Sequence, residues 1–185
     1  MNKVTPALFL DRDGVVNKNH GYVFEISKFE FFPEIFEICS IAMSLKIPIV
    51  IITNQSGIER GYFSEEQYQI LTRWMISQFK SQGIKIDAVI HAPEKPESND
   101  DSLSGRRKPS PKLFLEASKK FDLDMPSSIM IGDSESDMIA AERAGIKHRI
   151  LIGDTVGSTV ASKCAVDHRQ CLEIVAELLR GFRSH

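Results

Sequence analysis

Two aspartates separated by one residue follow a short apolar run near the amino terminus, in ALFLDRDGVVN. Asp11 and Asp13 carry like charges that repel each other and resist burial. Taken alone, Asp-x-Asp-Gly is typical of a hydrated turn. With a divalent cation, the same pair supplies the hard oxygen ligands that Mg²⁺ prefers. The stretch therefore predicts either a solvated turn or a cation-assisted reaction centre.

Three further stretches carry the groups that a phosphate-ester reaction needs. Thr53 and Asn54 offer neutral donors after an apolar run, Lys108 ends the basic stretch RRK, and Asp133 follows IMIG. Each stretch alone has an ordinary interpretation, as a helix cap, a solvated basic patch or a loop. Phosphoryl transfer, however, depends on positioning and on stabilising the charge of the equatorial oxygens. The joint order of these stretches favours one shared site.

Chemical roles follow from the residue types. A divalent ion among Asp11, Asp13 and Asp133 would offset their repulsion and keep Asp11 ionised as a nucleophile toward phosphorus. Asp13 would protonate the leaving oxygen and later deprotonate the attacking water. Thr53 and Lys108 would hold the phosphate oxygens.

The elements that must bring these groups together alternate along the chain. Nearly continuous Val, Ile and Leu runs predict strands buried on both faces, over residues 7–10, 48–52, 88–91, 129–131 and 149–152. Apolar residues at helical spacing predict helices over 32–45, 64–82, 111–121, 137–144 and 171–179. We therefore predict an α/β fold, a doubly wound parallel sheet with helices on both faces, as one domain over residues 1–185. Ligands of such sheets bind beyond the carboxyl ends of the strands, where the polar stretches fall.

The bulk composition excludes several classes of function. The 185 residues carry a formal net charge of −2, which provides no overall positive potential for binding nucleic acid or an anionic membrane. No apolar stretch reaches the roughly 18 residues of a membrane span, and no secretory signal is recognisable. Cys39, Cys164 and Cys171 form no CxxC pair, so we expect small buried hydrophobes in a reducing cytoplasm.

The combination FLDRDG, IITNQSG, RRKPSP and MIGDSESD resembles the haloacid-dehalogenase (HAD) superfamily of phosphohydrolases. The resemblance spans residues 7–154. It is closer still to a subfamily that contains heptose-bisphosphate and histidinol-phosphate phosphatases, through LDRDGVVN, NHGYV, TNQSGIERGYFSEEQ and GDSESDMIAAERAG.

The resemblance implies roles for particular residues. Asp11 would be the nucleophile and Asp13 the general acid and base. Magnesium would be held by Asp11, Asp133 and the backbone carbonyl of Asp13, while Asp137 would orient Lys108 or a metal-bound water. Contacts to the rest of the substrate would come from the following residues: Asn19, His20, Gly21, Tyr22, Thr53, Asn54, Gln55, Ser56, Arg107 and Lys108.

The loop of residues 92–108 departs from the subfamily pattern. Many members hold a structural zinc there through Cys-x-His and Cys-x-Cys, whereas the corresponding residues here are Ala92, Glu94, Ser104 and Arg106. Four soft ligands cannot be found nearby, so we expect no structural zinc. The connections after Asp13 and Thr53 are also too short for a large cap domain, which predicts an open site lined by loops.

We therefore expect a cytoplasmic, monomeric, Mg²⁺-dependent phosphatase of carbohydrate metabolism, such as lipopolysaccharide biosynthesis. It would cleave a sugar phosphate through an aspartyl-phosphate intermediate, with a heptose 1,7-bisphosphate as the favoured substrate and without nucleic-acid or membrane partners. Histidinol phosphate is the first alternative substrate, because it also presents a phosphate on a small polar body. A silent phosphosugar-binding module is the second alternative.

Overall fold

A six-stranded, entirely parallel sheet forms the centre of the molecule. The computed structural model of the chain describes residues 4–96, 105–153 and 158–181. The strands lie in the order β3-β2-β1-β4-β5-β6. They are β1 (Leu8–Leu10), β2 (Ile49–Asn54), β3 (Ala88–Ala92), β4 (Ile129–Gly132), β5 (His148–Ile152) and β6 (Lys163–Ala165).

The described residues also form five α-helices and one 3₁₀ helix (Ile26–Lys28); the last α-helix follows the final strand. The α-helices are α1 (Glu34–Ser44), α2 (Glu65–Ser81), α3 (Lys112–Phe121), α4 (Glu135–Arg143) and α5 (His168–Gly181). The predicted capping box of α2 is present: the Ser64 hydroxyl accepts from the Gln67 amide at 3.1 Å, and the Gln67 side chain accepts from the Ser64 amide at 2.8 Å. These two bonds satisfy amides that a helix start otherwise leaves unpaired.

Successive residues of each strand face opposite sides of the sheet, which divides the core in two. Leu8 and Leu10 join the cluster under α1, α2 and α5, whereas Phe9 joins the cluster under α3 and α4. Both faces are therefore covered by helices. This explains the unbroken apolar runs in the sequence and confirms the predicted doubly wound α/β fold.

Several boundaries differ from the prediction. β2 continues to Asn54, so Thr53 and Asn54 lie inside the strand and pair with β3. β6 was not predicted, because it has three residues and no apolar run. Cys164 in β6 is exposed, which corrects the expectation that all three cysteines are buried.

The chain order reverses at β1, whose neighbours are β2 on one side and β4 on the other. A ligand crevice forms at such a switch point, outside the carboxyl ends of the strands. Between β1 and β2 the chain forms only the 3₁₀ helix and α1, so no large cap covers this end. Within the described ranges no helix combines the length and the apolarity that a bilayer crossing requires.

Candidate active site

The carboxyl ends of β1, β2 and β4 bring most of the predicted residues into one cavity. Leu10 pairs with Ile51 of β2 and with Ile131 of β4, so the residues that follow these strands emerge side by side. The cavity has a volume of about 280 Å³. Its lining consists of Asp11, Asp13, Asn19, Tyr22, Thr53, Asn54, Gln55, Ser56, Arg107, Lys108, Asp133, Ser134, Ser136 and Asp137.

Lys108 is the cation at the bottom of the cavity. Its ammonium lies 2.6 Å from Asp11 Oδ1 and 2.5 Å from Asp137 Oδ1, and it donates to the Ile52 carbonyl at 2.9 Å. The lysine is 2% exposed. Burial alone would lower its pKa, but the two carboxylates outweigh burial and raise the pKa above its ordinary value. Lys108 is therefore a fixed positive charge at any physiological pH.

The Asn54 side chain holds the backbone of Lys108 in place. Its Oδ1 accepts from the Lys108 amide at 3.0 Å, and its Nδ2 donates to the Lys108 carbonyl at 3.2 Å. The sequence suggested that Asn54 contacts substrate. In the structure Asn54 lines the cavity, and both polar atoms of its side chain bond the backbone of Lys108.

Three carboxylates, those of Asp11, Asp133 and Asp137, have oxygens within 4.8 Å of one another. Burial raises the pKa of Asp11 to about 8; Lys108 opposes this shift, and the other two carboxylates add to it. Asp133 is exposed at the cavity wall, yet partial desolvation and the Asp137 charge raise its pKa to about 6. One ammonium among three carboxylates leaves the cluster short of positive charge, which suits a divalent cation.

Two glycines allow this close approach. A Cβ on Gly14 would lie 1.9 Å from Asp133 Oδ2, and a Cβ on Gly132 would lie 2.5 Å from the Cβ of Asp137. Gly14 also has a φ of 92°, in the left-handed region that favours glycine. The glycines in DRDG and IGDS are thus required by the carboxylates that approach them.

The Asp13 side chain is turned toward a set of donors. Its Oδ1 accepts from Asn17 at 3.0 Å, its Oδ2 accepts from Gln55 at 2.9 Å, and Arg12 contacts both oxygens. Gln55 also donates to the Thr53 hydroxyl at 2.9 Å. The carboxylate does not belong to the acidic cluster, so the carbonyl of Asp13 is the atom left for the metal role that the resemblance implies.

The rim of the cavity comes from three loops. Asn19, Tyr22, Ser56 and Arg107 all contribute to the lining. His20 does not line the cavity, and its ring instead pairs with Glu30 at 3.1 Å. Gly21, also predicted to contact substrate, is not part of the lining either, although its amide donates to the Asn19 side chain at 3.0 Å.

At the described ends of the loop of residues 92–108, where the resemblance implies a structural zinc in many members, other contacts hold the chain. Arg107 donates to the Glu94 carbonyl at 3.4 Å, and Arg106 pairs with Glu116 at 2.7 Å. Ala92 ends β3 and is buried. Ser104, part of the same prediction, lies outside the described residues. The positions that are described offer neither a thiol nor an imidazole as ligand.

Sequence reasoning missed Arg12 and Asn17, which are both buried. Arg12 stands between two aspartates, where a solvated side chain is the ordinary expectation. Its burial depends on Val23, in a loop eleven residues further along the chain, so no local pattern revealed it. Asn17 could have been suspected from its place four residues after Asp13 in the same turn.

Comparisons with known proteins agree with this geometry. A family model described as HAD-hydrolase-like matches residues 105–161. A curated protein of Burkholderia mallei is 42% identical over 172 residues, with 91% of each chain covered. The chain therefore belongs to the HAD-like phosphatases, the hydrolases of phosphoric monoesters that this fold and site define.

Within that family the matches are specific. The Burkholderia mallei protein is named D-glycero-alpha-D-manno-heptose-1,7-bisphosphate 7-phosphatase. A Vibrio cholerae protein named as the 7-phosphatase of the beta anomer is 41% identical, over 80% of this chain and 81% of its own length. The D,D-heptose 1,7-bisphosphate phosphatase of B. bronchiseptica, solved with magnesium and phosphate, shares the fold with a TM-score of 0.78 at 24% identity, covering 94% of this chain and 99% of that one.

Proposed function

We propose that this phosphatase hydrolyses D-glycero-D-manno-heptose 1,7-bisphosphate at the 7-phosphate, through a phosphoryl group carried on Asp11. One observation carries the chemistry: the Asp11 carboxylate lies at the floor of an open cavity with the Lys108 ammonium 2.6 Å away. The substrate follows from relatives of both anomeric specificities at 42% and 41% identity.

In the first half-reaction, a carboxylate oxygen of Asp11 attacks phosphorus and the bond from phosphorus to the sugar oxygen breaks. Asp13 gives its proton to that departing oxygen. The Lys108 ammonium and the Thr53 hydroxyl donate to the oxygens of the transferring group, where charge accumulates.

In the second half-reaction, water attacks the same phosphorus and Asp13 takes up its proton. The bond from phosphorus to the Asp11 oxygen breaks, which releases inorganic phosphate and restores the carboxylate. Asp13 thus returns to its starting state, so protons and atoms balance over the cycle.

The residues present fit a magnesium ion. Asp11 and Asp133, with the carbonyl of Asp13, would hold it, because Mg²⁺ prefers a small number of carboxylate oxygens and keeps water in its remaining positions. Bound there, the ion supplies positive charge that keeps Asp11 ionised and offsets the negative charge of the phosphate. Asp137 is engaged with Lys108 at 2.5 Å and with the Ser134 hydroxyl at 2.7 Å. We therefore assign Asp137 to positioning Lys108.

The rim would recognise the sugar and its second phosphate. Arg107 is the cationic rim residue of the cavity lining and suits a phosphate oxygen, while Asn19 and Ser56 suit hydroxyl groups. Tyr22 adds a flat apolar face. His20 and Gly21, which the sequence predicted to contact substrate, lie outside the cavity lining and would instead shape this rim from outside.

The test is phosphate release by the full chain on a matched panel: both anomers of the heptose 1,7-bisphosphate, histidinol phosphate and a simple aryl phosphate. We expect the heptose compounds to give the highest kcat/KM, at least about tenfold above histidinol phosphate, which needs only about 1.4 kcal/mol of transition-state selectivity. Phosphorus NMR should show loss of the 7-phosphate signal. Preference for histidinol phosphate would overturn the substrate assignment and leave the chemistry intact.

The chemistry has its own control. EDTA and Asp11→Asn should each abolish release, while Asp11→Asn should still bind substrate because the amide keeps the shape of the carboxyl group. Undiminished turnover by Asp11→Asn would overturn the covalent route. Binding without any turnover by the unmodified protein with Mg²⁺ would favour a silent binding module.

We also propose that the chain works in the cytoplasm as a monomer, in carbohydrate metabolism. Its three cysteines are all free, and burial raises the pKa of the Cys171 thiol to about 12, which keeps that thiol unreactive. An exposed free thiol at Cys164 suits a reducing compartment. Light scattering on the purified protein gives the oligomeric state directly.

A further inference from the structure

Arg12 is a buried guanidinium whose contacts converge on one carboxylate. It is 1% exposed. Its Nε donates to Asp13 Oδ2 at 3.1 Å, and its Nη2 donates to both oxygens of Asp13, at 3.0 and 2.8 Å. The same Nη2 donates to the Val23 carbonyl at 2.7 Å. The guanidinium plane is thus fixed between Asp13 and the backbone of a neighbouring loop.

Two amides complete the arrangement. Asn17 Nδ2 donates to Asp13 Oδ1 at 3.0 Å and to the Lys18 carbonyl at 2.9 Å. Gln55 Nε2 donates to Asp13 Oδ2 at 2.9 Å and to Thr53 at 2.9 Å. Donors therefore reach Asp13 from three directions, and a carboxylate held in this way has little freedom to rotate about its side-chain bonds.

Stability alone explains this arrangement poorly. Burial of a guanidinium costs free energy unless its donors are bonded, and Arg12 Nη1 is buried without a hydrogen-bond partner in the part of the chain that the structure describes. The Tyr68 ring, 5.9 Å from the guanidinium carbon, supplies a further contact on one side. What Arg12 does provide is a rigid two-pronged contact to a single carboxylate, which lysine cannot reproduce.

We propose that Arg12 is a positioning residue that fixes the Asp13 carboxylate for proton transfer, with the Val23 carbonyl as its anchor. This inference rests on the proposed function, since it needs Asp13 to be the general acid. Proton transfer to a departing oxygen depends on the orientation of the acid, and small displacements of a reacting group reduce rates steeply. Arg12 itself does not contact the cavity.

The experiment compares two leaving groups in each protein preparation. A sugar alkoxide needs a proton to depart, whereas p-nitrophenolate departs without one. We expect Arg12→Lys and Arg12→Met to lower kcat/KM for the heptose bisphosphate by about 10- to 100-fold and for p-nitrophenyl phosphate by less than about threefold. The ratio of the two values within one preparation does not depend on the folded fraction, so partial unfolding cannot imitate the result.

Two control variants separate the possible outcomes. Arg149→Lys changes another partly buried arginine, bonded to Ile146, Val160 and Glu142 away from the cavity, and should leave the ratio unchanged. Asp13→Asn should change the ratio at least as much as Arg12→Lys does. If Asp13→Asn changes the ratio and both Arg12 variants leave it at the unmodified value, the positioning proposal fails and the proposed function stands. If Asp13→Asn leaves the ratio unchanged, the acid role of Asp13 fails and the positioning proposal fails with it.

Discussion

The ammonium of Lys108 lies 2.6 Å from the carboxylate of Asp11, although 97 residues separate them in the chain. The contact exists because β1 and β2 are neighbours and because Asn54, at the end of β2, bonds the backbone of Lys108. Asp11, the proposed nucleophile, and the Lys108 cation are therefore brought together by the order of strands in the sheet.

Replacing this lysine should cost both activity and stability. Lys108→Met removes a charge from the transferring group, so we expect kcat to fall by about 10²–10³-fold or more. It also leaves Asp11 and Asp137 buried without a cation, so unfolding of the metal-free protein in urea should show a loss of about 3 kcal/mol. Lys119→Met, at an exposed position on α3, is the matched control and should change neither quantity.

Gly14→Ala should weaken magnesium binding, in addition to the loss of stability that a positive φ causes for alanine. Its Cβ would collide with Asp133 Oδ2 at 1.9 Å, so we expect a large drop in Mg²⁺ affinity, measured by titration calorimetry. Gly145→Ala separates the two effects, because Gly145 has a φ of 87° and nothing within 4 Å of the added Cβ. That control should lose only about 1–2 kcal/mol of stability and bind Mg²⁺ normally. Equal Mg²⁺ affinity in both variants would refute the close approach.

Stability of the metal-free protein should fall as the pH rises. Burial raises the pKa of Asp11 from 3.8 to about 8, so between these values the folded state binds more protons than the unfolded state. Its free energy of unfolding therefore decreases through that window. Thermal unfolding in EDTA should show Tm falling from about pH 5 to about pH 8, and Asp11→Asn should flatten the slope.

Magnesium should remove this pH dependence, because Asp11 would be ionised in the Mg²⁺-bound folded state as it is in the unfolded state. Protons and Mg²⁺ compete for Asp11, so affinity should rise about tenfold for each pH unit over which one proton is displaced. The Tm gained by adding Mg²⁺ should accordingly be larger at about pH 8 than at about pH 6. A gain independent of pH would show that the ion does not bind at the acidic cluster.

Tyr62 should affect substrate binding more than chemistry. Its ring packs edge-on against Tyr22 at 4.7 Å, and Tyr22 lines the cavity from a backbone with a φ of 48°. Such aromatic pairs contribute about 0.5–1.5 kcal/mol, so Tyr62→Ala should raise KM for the heptose bisphosphate by about 2- to 12-fold. Tyr62→Phe keeps the ring and should behave like the unmodified protein. A fall in kcat with p-nitrophenyl phosphate would contradict a role confined to the rim.

The purified protein should contain no stoichiometric zinc. Metal analysis of the chain checks this directly, and a zinc chelator that leaves magnesium in place should not shift Tm. A variant with Ala92→Cys, Glu94→His, Ser104→Cys and Arg106→Cys offers the four-ligand set that tetrahedral zinc prefers and serves as the positive control. One zinc per unmodified chain would mean that ligands outside this loop bind it, and would contradict the prediction.

The sequence predicted the fold because the apolar composition of its strands indicates that they are buried on both faces. The runs before Asp11, Thr53 and Asp133 are apolar throughout, and an element of that kind fits only a sheet covered on both faces. The convergence of these three residues then follows from the topology alone.

The remaining features depend on contacts between distant segments. Arg12 is buried because Val23 offers its carbonyl and Tyr68 its ring, and none of the three is informative alone. β6 forms at the sheet edge by pairing with β5, although its own residues are mostly exposed. The same is true of the Asn54 contacts to Lys108, which only a three-dimensional arrangement reveals.

The hydrogen bonds between Asn54 and the backbone of Lys108 make the position of this lysine independent of the loop that precedes it. Because the Asn54 side chain, at the end of β2, makes two hydrogen bonds to the backbone of Lys108, changes in the length or composition of that loop need not move this lysine. Differences in that loop are therefore compatible with an unchanged position of Lys108. Changes in the loop can then alter substrate preference while the proposed catalytic residues keep their positions.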